Sequence, residues 1–157
     1  MWIDRLLTLI RNFLMKPDLS FSGSLYLMAI SKLGKDASPQ DRASDEYGCV
    51  ESVTEIIHAM LPEVPVMLGT YTFWEYMQRS QRFQETLYPE RGCIVISPTG
   101  TSSKKAKNGH VGIMGDNEII MSSDSRSGLF LENYALKSWK LYYKDKLGFP
   151  VFFYKLV

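Results

Sequence analysis

The sequence predicts an α+β fold, with N-terminal helices packed on a small antiparallel β-sheet. Two patterns predict it. Apolar residues recur at helical spacing through the first half, as far as Glu85. From Cys93 onward they fall instead into short runs rich in β-branched side chains, separated by Gly, Asp and Asn turn signals.

The elements follow in order. Trp2 to Met15 reads as an amphipathic helix, with Ile3, Leu6, Leu7, Ile10, Phe13 and Leu14 on one stripe and Pro17 ending it. It packs on the domain, or it serves a membrane surface or a partner. Ser24 to Leu33 is a second helix, stopped by Gly34. Lys35 to Arg42 is polar, contains Pro39 and reads as a loop. Cys49 to Leu61 is the clearest helix, its stripe made of Val50, Val53, Ile57, Met60 and Leu61, with Pro62 and Pro65 beyond it. Thr72 to Glu85 is a further helix with Phe73, Trp74 and Met77 on its apolar side. Cys93 to Ser97 is a strand, and 98–109 a polar loop. His110 to Met114 and Glu118 to Ser122 pair across a Gly115-Asp116-Asn117 turn, and Pro150 to Leu156 is the last strand. The chain divides into an N-terminal helix, 1–20, and one domain, 21–157, long enough to bury a core.

Composition narrows the function classes. Hydrophobic residues make up 45% and charged residues 22%, an ordinary globular balance. The net charge is +1, from 18 Lys plus Arg against 17 Asp plus Glu, which lacks the basic excess of a nucleic-acid binder. No run approaches the roughly 20 apolar residues of a membrane span. Nor does 1–15 have the unbroken apolar core of a secretory signal, since Asp4, Arg5, Arg11 and Asn12 interrupt it. Two histidines and two cysteines show no metal-ligand spacing, so neither a metal nor another cofactor is expected. Cys93 sits inside the apolar run Cys93-Ile94-Val95-Ile96 and reads as core. A Cys49–Cys93 disulfide stays open at this level.

Cys49 stands at the first turn of the best helix, where unpaired N–H groups carry partial positive charge. A thiol placed there is expected to have a lowered pKa and to act as a nucleophile. His58 lies nine residues on, about 13 Å along the axis and on the far face, out of reach. His110 is the remaining base, presented at the start of a strand. The stretch Ser102 to Asn108 is basic and leads into it; it reads as a solvated loop, or as a patch that attracts an anionic polymer or a substrate carboxylate. The aromatics Tyr71, Phe73, Trp74 and Tyr76 read as core or as a groove lining.

Cys49-Val50-Glu51-Ser52-Val53, after Asp45-Glu46-Tyr47-Gly48, resembles the nucleophile segment of the papain-like NlpC/P60 and CHAP cell-wall hydrolases. Arg91 to Ser97 resembles that family's "GDIVIS" strand, with Cys93 in the place of its aspartate, and Gly109-His110-Val111-Gly112-Ile113 matches "GHVGI". Met121 to Ser125 resembles the strand that brings a third, imidazole-orienting residue, and Gly148 to Val151 the closing strand of a phage-type subgroup. The resemblance runs in order from about Leu25 to Val157. It implies a papain-like fold and an amidase or endopeptidase acting on peptidoglycan peptide, working as a monomer. If phage-encoded, the protein would accumulate in the host cytoplasm and then reach the wall or periplasm. The catalytic set implied is Cys49, His110 and Asp124, with Ser123 as the alternative third residue. The oxyanion would be held by the Cys49 backbone N–H and the Tyr47 side chain. Other substrates of the same chemistry, protein or lipid, and a degenerate wall-binding domain are the alternatives.

Overall fold

The computed structural model describes residues 20–38 and 48–157. The expected helix Trp2 to Met15, most of the 1–20 segment and Tyr47 lie outside the described residues. What is described is an α+β arrangement: helices in the first half, then a six-stranded open antiparallel sheet.

Helix α1, Phe21–Lys32, starts where Ser20 Oγ accepts the Gly23 N–H at 3.0 Å and stops before Gly34, which adopts φ +77°. Helix α2, Gly48–Met60, carries the expected stripe: Val50, Val53 and Ile57 are fully buried. Its Thr54 hydroxyl accepts the Met67 N–H at 3.0 Å, which ties the following loop back onto the helix. Helix α3 spans Thr70–Arg79 only. Ser80 turns extended, and Phe83–Glu85 leaves the helical path to become strand β1. That corrects the expectation of one helix to Glu85. The three residues gain a ladder with Leu156, Lys155 and Tyr154, a pairing that local helical spacing does not reveal.

Strands β2 (Ile94–Ser97), β3 (His110–Met114), β4 (Ile119–Ser123), β5 (Phe130–Ala135) and β6 (Phe152–Leu156) complete the sheet, in the order β1-β6-β2-β3-β4-β5. Between β5 and β6 a helical turn, Leu136–Trp139, widens into a π-type helix, Lys140–Lys146. Neither β5 nor this helix was expected from the sequence.

The sheet separates two apolar layers, as the two-residue period of its strands requires. Ile94, Ile96, Val111, Ile113 and Met121 face α1, α2 and α3. Cys93, Val95, Met114 and Ile120 face Leu136, Trp139, Tyr143 and Phe149. Cys49 lies in the first layer and Cys93 in the second, both as free thiols, so no disulfide joins them. Among the described residues no helix is long and apolar enough to cross a membrane.

Candidate functional site

Cys49 is the second residue of α2 and is 5% exposed. Its sulfur lies beside the backbone amides of Val111 and Val50 and its own. The nucleophile candidate is therefore seated against the strand that His110 opens. The last step toward His110 is fixed from α3. Thr70 at its first turn donates to Thr99 Oγ1 at 2.8 Å and accepts the Thr99 N–H at 2.8 Å. Thr99 Oγ1 in turn accepts the Gly109 N–H at 3.0 Å. Gly109 itself passes so close to β2 that a Cβ there would lie 1.9 Å from the Ser97 carbonyl oxygen.

The His110 ring stacks on Trp139, with centroids 5.2 Å apart, and on Tyr143 at 5.8 Å. Trp139 is locked by its own indole N–H, which donates to the buried Ser97 Oγ at 3.1 Å. Leu136, Trp139 and Tyr143 are the buried positions of the helical segment. Their spacing, i, i+3 and i+7, is the sequence signal that would have found this aromatic wall. Cys49 and His110 both line one cleft of about 420 Å³ at the start of β3. It is also lined by Asn108, Asp124, Asn133, Tyr134 and Tyr142.

The orienting position differs from expectation. His110 Nε2 lies 3.0 Å from Ser122 Oγ, and Ser122 Oγ lies 2.6 Å from Asn133 Oδ1. Neither Asp124 nor Ser123 hydrogen-bonds the imidazole. Asp124 accepts the Ser127 hydroxyl at 2.7 Å and the Ser127 N–H at 3.1 Å, which hold its carboxyl below the usual range. Ser123 has the wrong parity, since Ser122 shares the face of Ile120 and His110. The turn that sets the register lies one residue beyond the expected Gly115-Asp116-Asn117. Asp116–Glu118 form it, with Asn117 and Glu118 at positive φ, and Ile113 pairs with Met121. Asn133, on the strand that sequence reading missed, stands behind Ser122. His58, as expected, is outside the site: it is exposed, and its Nδ1 bonds the Val64 carbonyl at 2.7 Å.

Electrostatics correct a second expectation. Burial pushes the Cys49 thiol up to about 11, against the smaller downward pull of the Val111 and Val50 amides. The helix start does not prevail over removal from water. His110 keeps part of its surface open to the cleft, yet burial takes its pKa down to about 4. At neutral pH both groups are thus uncharged, a thiol and a neutral imidazole on one cleft rather than a preformed ion pair. Among the described residues His110 Nδ1 has no hydrogen-bond partner. The expected outcome in alkylation is a Cys49 rate that keeps climbing from pH 9 toward 11, as the thiolate forms. A rate that levels off below pH 8 would contradict the neutral pair.

Among the described residues no group of three or more His, Cys, Asp or Glu gathers to hold an ion. No family model matches the chain, and no curated protein matches it in sequence.

Proposed function

We propose that the protein is a papain-like cysteine hydrolase that cuts amide bonds in bacterial cell-wall peptide. The observation that carries this reading is the convergence of Cys49, at a helix start, and His110, at a strand start, on one cleft. The ordered motifs that resemble the NlpC/P60 and CHAP hydrolases supply the substrate class. The cleft's lining supports peptide over lipid, because Asn108, Ser123, Asp124, Ser125 and Asn133 give it hydrogen-bonding walls beside its tyrosines. The exposed lysines Lys104, Lys105 and Lys107 precede it and favour an anionic polymer.

The chemistry is acyl transfer. His110 Nδ1 takes the thiol proton as the Cys49 sulfur bonds to the peptide carbonyl carbon. The Cys49 backbone N–H at the helix start holds the oxyanion, and the resemblance adds Tyr47, outside the described residues, as a second donor. The C–N bond breaks as His110 returns its proton to the leaving amine. Water, deprotonated by the same nitrogen, then hydrolyses the thioester. A monomeric, phage-encoded endolysin that meets the wall after membrane disruption is the setting this reading favours. A second reading, a degenerate domain that binds the wall without cutting it, is favoured by the raised Cys49 pKa and by Ser122 in the orienting place.

Digestion of purified peptidoglycan from several bacteria, followed by mass spectrometry, tests the proposal. Release of fragments with new L-alanine amino termini marks an amidase, and new termini within the stem peptide mark an endopeptidase. Folded protein that releases nothing from any wall overturns the hydrolase reading and leaves the binding one.

A further inference from the structure

The hydrogen bonds behind His110 can run in one direction only. We infer that Asn133 is a positioning residue which, through Ser122, holds His110 in the Nε2–H tautomer and leaves the Nδ1 lone pair as the base. This rests on the Cys49–His110 reading for its use, though not for its geometry.

The chain of constraints starts at the Ser123 carbonyl. A carbonyl oxygen only accepts, so the Asn133 atom 3.3 Å from it is the amide Nδ2. The amide oxygen Oδ1 must then face Ser122, where it stands 2.6 Å from the hydroxyl. Oδ1 carries no proton, so Ser122 spends its single O–H on that contact. Toward His110, 3.0 Å away, Ser122 has only lone pairs left to offer. The ring nitrogen at that contact, Nε2, must therefore carry the hydrogen. A neutral imidazole has one N–H, so Nδ1 is bare.

A backbone irregularity puts Asn133 in place. Along β4 and β5, Ile120 pairs with Tyr134 but Met121 pairs with Glu132, so Asn133 is the extra residue of a β-bulge. Such a bulge re-aims the side chain it carries. Here the bulged residue reaches Ser122 and Ser123 of the neighbouring strand together. Without Asn133 the Ser122 hydroxyl would be free to donate to Nε2. The proton would then sit on Nδ1, and the ring could not accept one from the thiol.

His58 provides an internal reference. Its Nδ1 lies 2.7 Å from the Val64 carbonyl, which can only accept, so His58 is the Nδ1–H tautomer. The two histidines of this chain are thus expected in opposite tautomers. Long-range proton–nitrogen NMR of the ¹⁵N-labelled full chain at pH 7 reads both directly. Wild type is expected to show Nε2–H at His110. Asn133→Ala is expected to move His110 toward Nδ1–H, while Asn133→Asp, which keeps an acceptor for Ser122, retains Nε2–H. If Asn133→Ala does not fold, Ser122→Ala replaces it, with the same loss of Nε2–H bias. Wild-type His110 in the Nδ1–H form, or a tautomer unmoved by the folded Ala variant, overturns the inference. In wall digestion, Asn133→Ala is expected to lower kcat about tenfold with KM little changed. The predicted tautomers in a protein that digests no wall leave the relay standing and overturn the hydrolase reading. Digestion with the tautomers unmoved overturns the relay alone.

Discussion

Gly109→Ala is expected to cost at least about 3 kcal/mol of stability, the scale of a severe overpacking change. For a chain of this length that corresponds to a melting temperature lower by about 6 to 12 °C. The reason is that the three nearest neighbours of the new methyl group are all backbone atoms. It would stand 1.9 Å from the Ser97 carbonyl oxygen, 2.7 Å from the Thr99 nitrogen and 2.8 Å from the Pro98 carbonyl carbon. No rotamer change relieves such contacts; β2 and β3 must part at their paired ends, where Ser97 is opposite His110. The Gly109 N–H bond to Thr99 and the seat of His110 are lost with them. Gly69→Ala is the matched control. Its added methyl meets only the Thr72 hydroxyl at 3.5 Å, at an ordinary negative φ of −110°. A Gly109→Ala protein that melts with the control would contradict the close approach.

His110→Gln is expected to lower peptide release by about 10²- to 10⁴-fold, the usual worth of a positioned acid–base group. The amide keeps much of the ring's volume against Trp139 and Tyr143, so the fold should survive. It supplies no basic nitrogen near neutral pH. Because Cys49 is a protonated thiol until about pH 11, nothing else in the described cleft prepares it for attack. The loss is therefore expected to shrink as pH rises toward 11 and thiolate forms without help. A variant that digests wall as fast as wild type at pH 7 would remove His110 from the mechanism. Circular dichroism and melting, measured alongside, separate loss of chemistry from loss of fold.

Much of this arrangement was legible along the chain, where the determinants are local. The stripe of Val50, Val53 and Ile57 announced α2, and the runs Ile94–Ser97 and His110–Met114 announced the central strands. The glycines flanking His110 also have a readable cause, since Gly109 and Gly112 both lie too near other strands for a side chain. What failed depended on partners distant in sequence. Phe83–Glu85 becomes a strand only because Tyr154 to Leu156 returns beside it. Phe130–Ala135 has no clean alternation, because its bulge breaks the period.

The orienting residue failed for a related reason. Its identity hangs on register, and register hangs on where the three-residue turn falls, at Asp116–Glu118. Two non-glycine residues at positive φ, Asn117 and Glu118, are not what turn statistics favour, whereas Gly115 is, so the sequence points one residue too early. Ser122 then needs Asn133, which arrives from the unrecognised strand. The thiol pKa failed differently. Position at a helix start was visible in the sequence, but the 5% exposure that outweighs it is a property of the packed layer.

Cys49 is proposed as the nucleophile of an amide hydrolase. The measurement that tests it most directly is peptidoglycan digestion by wild type and Cys49→Ala side by side, both shown folded, with released fragments counted by mass spectrometry. Fragments with new amino termini are expected from the wild type and none above background from the variant. Equal release by both proteins, or none by either, would contradict it.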